Sequence, residues 1–127
     1  MSQKIGLIGL GAMGEVIATH LLNKNFDVSG YDILPERGQQ LEILGLKNLD
    51  SVQAVSGHAD ILISSLPSYS ALQNVISEIS TADKSAQILL ETSTLEVSQK
   101  IEAGNIFKGS GNIFLDAPIS GTTPLVK

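Results

Sequence analysis

The stretch Lys4-Ile5-Gly6-Leu7-Ile8-Gly9-Leu10-Gly11-Ala12-Met13-Gly14 decides the fold of this chain. It joins an apolar run of strand length to three glycines in the pattern GxGxxG. The residues that follow carry Met13, Val16, Ile17 and Leu21 on one helical stripe. A buried strand, a glycine turn and an amphipathic helix in that order make the phosphate-binding turn of a Rossmann unit. Gly9 allows the tight turn. A side chain at Gly11 would hold the backbone off a pyrophosphate, and one at Gly14 would hold the helix off the strand. The free N–H groups of Gly11, Ala12 and Met13, with the helix dipole behind them, would face the anion. Leu10 completes the turn.

The same alternation continues outward. Lys4 to Leu10 is the first predicted strand and Ala12 to Lys24 the first helix, closed by Asn25, a residue that tolerates the left-handed conformation. Asp27 to Tyr31 is a second strand. Pro35 opens a second helix and Gly45 stops it. Leu46 to Leu49 is a weak strand, and Ser51 caps a short helix through Val55. Asp60 to Leu66, Gln87 to Glu91 and Asn112 to Ala117 are three further strands. Helices from Ser68 to Ile79 and from Leu95 to about Phe107 lie between them. This order predicts an α/β fold: a doubly wound, mainly parallel sheet with helices on both faces. The 127 residues suit one compact domain.

Asp32 ends the second predicted strand, 18 residues past Gly14. A carboxylate there accepts hydrogen bonds from the hydroxyls of the adenosine ribose and repels a 2′-phosphate, which selects NAD over NADP. The alternative role for Asp32 is to cap the turn before Pro35. Arg37, five residues on, could pair with a phosphate, and it leaves NADP as the minority reading.

Composition narrows the function classes. The chain has no cysteine, so it has neither disulfides nor a thiol nucleophile. Its two histidines, His20 and His58, lack metal-ligand spacing, and no metal site is expected. Acidic residues outnumber basic ones 13 to 8, for a net charge of −5, which argues against a nucleic-acid partner. No apolar run approaches the ~20 residues that span a bilayer, and the first residues resemble no signal or transit peptide. A cytoplasmic location is expected.

Four ordered motifs then carry a family resemblance. Gly9 to Gly14, followed by Ala18 and Leu21-Leu22, resembles the opening of the β-hydroxyacid dehydrogenases. That group includes 3-hydroxyisobutyrate dehydrogenase, tartronate semialdehyde reductase and, more distantly, 6-phosphogluconate dehydrogenase. Leu66-Pro67 resembles the family's "LP" step, whose backbone passes beside the cofactor. Ser93-Thr94 resembles its "ST" step, which brings Thr94 to the nicotinamide end; the alternative role is a helix cap before Leu95, and the two can coexist. Asp116-Ala117-Pro118-Ile119-Ser120-Gly121 is similar to the substrate signature DAPVSGG, which implies that Ser120 and Gly121 hold the substrate carboxylate. Thr122 departs from the second glycine of that signature.

The resemblance implies a nicotinamide-dependent oxidoreductase acting on a small 3-hydroxy acid. It places the catalytic lysine on a helix of a second, all-helical domain, beyond Lys127, so no catalytic residue is expected in this chain. It also implies a homo-oligomer. On this reading residues 1–127 are the cofactor domain of a longer enzyme, binding NAD weakly and turning over nothing alone. The competing class is a nucleotide-binding or redox-sensing module without chemistry. A methyltransferase fits less well, because the full GxGxxG and Asp32 match a dinucleotide better.

Overall fold

In the computed structural model, which describes residues 3–80, 87–108 and 112–118, strands and helices alternate along the chain. The order is β1 (Lys4–Ile8), α1 (Ala12–Asn23), β2 (Asp27–Tyr31), α2 (Pro35–Glu42), β3 (Lys47–Asn48) and α3 (Val52–His58). It continues with β4 (Ile61–Ser64), α4 (Tyr69–Ser80), β5 (Ile88–Glu91), α5 (Val97–Lys108) and β6 (Ile113–Asp116). The six strands form one sheet in the order β3-β2-β1-β4-β5-β6, and every pairing is parallel. The expected doubly wound α/β sheet is therefore present, and it is wholly rather than mainly parallel.

Local signals act where the residues sit. Asn25 holds φ at 66° and Gly45 at 107°, each ending the helical run before it. Ser51 Oγ accepts the Ala54 N–H at 3.0 Å, and Ser68 Oγ accepts that of Ala71 at 3.1 Å. Differences from the sequence expectation lie at element ends. The first strand closes at Ile8 rather than Leu10 because Gly9 already turns, and α3 runs on to His58.

Side chains alternate across the sheet and build two apolar layers. Leu7, Val28, Ala18, Leu22 and Leu41 pack beneath α1 and α2. Ile8, Leu62, Leu89, Val55, Leu72, Ile76 and Phe107 pack beneath α3, α4 and α5. The strand order reverses direction between β1 and β4. There α1 leaves to one face and α4 to the other, and a crevice opens at the carboxyl ends of the strands.

Candidate dinucleotide site

The crevice is a cleft of about 520 Å³ between the turn after β1, the turn after β4 and α4. Gly9, Gly11, Ala12, Met13, Asp32, Leu66 and Pro67 all line it. Residues far apart in the chain are thus gathered by the topology around one opening.

The three glycines have different reasons to be bare. Gly9 holds φ at 97°, and a Cβ there would run into the carbonyl oxygen of Ser65. A Cβ on Gly14 would run into the carbonyl of Gly9, so its absence lets α1 sit close on the end of β1. At Gly11 the protein makes no such demand. Among the described residues a Cβ would meet nothing nearer than Arg37 Nη1 at 3.5 Å, an ordinary contact. Gly11 instead leaves open the space in front of the first turn of α1, which is where a ligand must approach the backbone. Gly11 also caps α1, and it has no side chain with which to bond the first amides of the helix. The positive end of the helix dipole lies at the same point. This open cradle fits the pyrophosphate of a dinucleotide.

Asp32, at the end of β2, is held from two sides. Its Oδ2 accepts the Leu10 N–H at 2.7 Å and its Oδ1 accepts the Leu34 N–H at 2.8 Å. Arg37 Nη1 lies 3.5 Å from Oδ2; the Arg37 side chain is 45% exposed and that of Asp32 only 5%. The acid is therefore fixed at the lip of the cleft, and the cation beside it is loose. The capping role weighed for Asp32 is real, since the Leu34 bond holds the turn before Pro35, and it coexists with a place in the cleft wall.

Leu66 and Pro67 form the opposite wall. The Leu66 N–H donates to Ser93 Oγ at 2.6 Å. Ser93 is thus a tie to the neighbouring strand end and not the cap of α5, which begins only at Val97.

Other expected site residues fall elsewhere. Leu10 is buried in the layer under α1 and α2 and enters the site only through its amide. Gly14 supports the turn from behind. Thr94 is exposed past the end of β5 and does not line the cleft. Ser120 and Gly121 lie outside the described residues. Ile33, Val52, Asn74 and Glu78 are among the further lining residues that no motif pointed to. Asn74 and Glu78 lie four apart on α4, and that spacing is their only sequence signal. No helix among the described residues is long and apolar enough to cross a membrane.

A six-stranded parallel sheet in this order, with a glycine cradle at the switch point and an acid just past the end of β2, defines a dinucleotide-binding Rossmann domain. Residues 4–127 match the family model described as the NAD binding domain of 6-phosphogluconate dehydrogenase, and the chain belongs to that family, the N-terminal NAD-binding domain of the β-hydroxyacid dehydrogenases. It is 29% identical over 125 residues to 2-(hydroxymethyl)glutarate dehydrogenase of Eubacterium barkeri, covering 96% of this chain and 42% of that protein. It is 29% identical over 124 residues to the mitochondrial 3-hydroxyisobutyrate dehydrogenase of Mus musculus, covering 92% of this chain and 36% of that protein. The structure of 3-hydroxyisobutyrate dehydrogenase from Mycobacterium tuberculosis with L-serine superposes with a TM-score of 0.92. It shares 26% identity and covers 98% of this chain and 43% of that one. The chain spans less than half the length of each of these relatives.

Proposed function

We propose that this chain is the cofactor half of an oxidoreductase that moves hydride between NAD and a small 3-hydroxy acid. The observation that carries the reading is Gly11: nothing among the described residues requires a glycine there, and its bareness opens the end of α1 to the cleft. The named hydroxyacid dehydrogenases among the relatives support the substrate class.

Bound in the cleft, the nicotinamide ring would supply the hydride chemistry. This chain's own residues bind and orient. The amides of Gly11, Ala12 and Met13 take the pyrophosphate, Asp32 takes the ribose hydroxyls, and Leu66 with Pro67 closes the far wall. Thr94, beyond β5, is proposed to meet the nicotinamide end, and Ser120 with Gly121 the substrate carboxylate. The base that accepts the hydroxyl proton is assigned to the family lysine beyond Lys127, in a second domain.

NAD is preferred because Asp32 is fixed by two main-chain bonds and presents its charge where a 2′-phosphate would lie. One observation favours NADP instead: Arg37 reaches both the lip of Gly11 and Asp32, and it is exposed enough to turn toward a phosphate. Titration of the purified chain with NADH and with NADPH, followed by cofactor fluorescence, separates the two. Binding of NADH at least roughly tenfold tighter than NADPH is expected, the scale of one unpaired charge at a binding site. Tighter binding of NADPH would reverse the cofactor assignment, and no binding of either at millimolar concentration would overturn the function.

A further inference from the structure

We propose that Lys100 is a positioning residue for the cofactor cleft, acting through Glu91 and Ser93 on the main chain at Leu66. The proposal rests on reading the cleft as a dinucleotide site. Lys100, on α5, is a lysine inside the protein, 6% exposed, beside Glu91, which is wholly buried at the end of β5. Its Nζ lies 2.5 Å from Asp116 Oδ1 at the end of β6, and 3.8 Å from Glu91 Oε1. It also lies 3.5 Å from the Glu91 main-chain oxygen. Charges at that depth persist only when paired and hydrogen-bonded.

Glu91 passes the constraint onward. Its Oε1 accepts the Ser93 N–H at 2.6 Å, and its Oε2 accepts the hydroxyl of Ser64, at the end of β4. Ser93 Oγ then accepts the Leu66 N–H at 2.6 Å. One continuous polar path therefore runs from Asp116 through Lys100, Glu91 and Ser93 to Leu66, a residue of the cleft wall. It ties together the carboxyl ends of β4, β5 and β6.

Stability alone is a poor reason for such a path, since well-packed apolar side chains of similar volume usually serve as well as a buried ion pair. Its place is informative. All of its members but Lys100 sit at or just past strand carboxyl ends, where ligands meet an open parallel sheet, and Lys100 reaches there from α5. With Lys100 removed, Glu91 would be left buried and unpaired. Its carboxylate would lose the cation that holds it in place, and any movement of it disturbs the acceptor that holds Ser93 and, through it, Leu66.

The test compares Lys100→Met, Lys100→Arg, Ser93→Ala and the double variant Lys100→Met/Ser93→Ala. Leu66 amide hydrogen exchange by NMR is read beside NADH affinity. In Lys100→Met we expect the Leu66 amide to exchange roughly tenfold faster while the central amides of Leu7 and Leu62 keep their rates, the mark of a local opening. NADH affinity should fall several-fold in the same variant. Lys100→Arg should recover both, and Lys100→Met should add little once Ser93 is alanine, because the two residues act along one path. Should Lys100→Met not fold, Asp116→Asn loosens the path from its half-exposed end and is read in the same way. Unchanged Leu66 exchange, a uniform rise at all amides, or full additivity of Lys100→Met and Ser93→Ala would overturn the proposal. If Leu66 exchange responds as expected but the parent chain binds no NADH, the path stands and the cofactor reading of the cleft fails.

Discussion

Leu10 and Asp32, 22 residues apart, are joined directly: the Leu10 main-chain N–H donates to Asp32 Oδ2 at 2.7 Å. The acid expected to face the ribose is thus also the peg that fixes the glycine turn. Replacing it with alanine should therefore do two things. It should cost about 1.5–3 kcal/mol of stability, the scale of a hydrogen bond to a charged group, and it should abolish measurable NADH binding. Urea denaturation and a fluorescence titration of Asp32→Ala check the two effects separately.

Gly11 and Gly14 are predicted to fail in different ways. Gly14→Ala would drive its Cβ into the Gly9 carbonyl and should lower stability and cofactor binding together. Among the described residues Gly11→Ala meets only Arg37 Nη1 at 3.5 Å, and the Gly11 φ of −69° suits alanine. Its melting transition should move by no more than about 1 kcal/mol in equivalent stability, the range of a cap substitution, while NADH affinity falls at least roughly tenfold. Parallel losses in Gly11→Ala would contradict the reading of the cradle as a ligand contact.

Phe107 on α5 is fully buried and meets Phe114 edge-on, with ring centroids 6.3 Å apart. Phe107→Ala should cost about 3–5 kcal/mol in chemical denaturation through the cavity it leaves. Phe107→Leu, closer in volume, should cost less.

At the other end of the sheet, the hydrogen bond from Lys47 to Asp27, helped by His58, holds the carboxyl of Asp27 below its ordinary 3.8 despite the opposing effect of desolvation. The folded form therefore binds the proton less readily than the unfolded chain. The stabilisation is complete above the unfolded value and is lost as the pH falls through the lower folded one. Denaturation midpoints of the parent and Asp27→Asn should differ at pH 7 and converge as the pH falls below about 3.8. A gap that widens on acidification would contradict this.

Much of the fold was legible because its signals are local. Asn25, Gly45, Ser51 and Ser68 act within a few residues of themselves, through backbone conformation and capping bonds. The lateral order of the strands, with β4 beside β1, came from no single segment. It follows from packing apolar crossover helices on both faces of a twisted parallel sheet.

The sequence by itself determined the glycine turn, the acid at its expected distance and the alternation that implies a Rossmann sheet. These rest on spacing, and spacing survives without coordinates. Only the tertiary structure decided how these pieces work together. It showed that, among the described residues, Gly11 meets no packing demand while Gly9 and Gly14 do, and that Asp32 pins Leu10. It put Asn74 and Glu78 in the cleft, left Thr94 outside its wall, and showed Ser93 as a tie for Leu66. It also paired Lys100 with Glu91 and Asp116, as residues on three different elements meet only when helix and strands pack together. Side-chain partners of that kind depend on separations far beyond a helical turn, and a linear pattern carries no record of them.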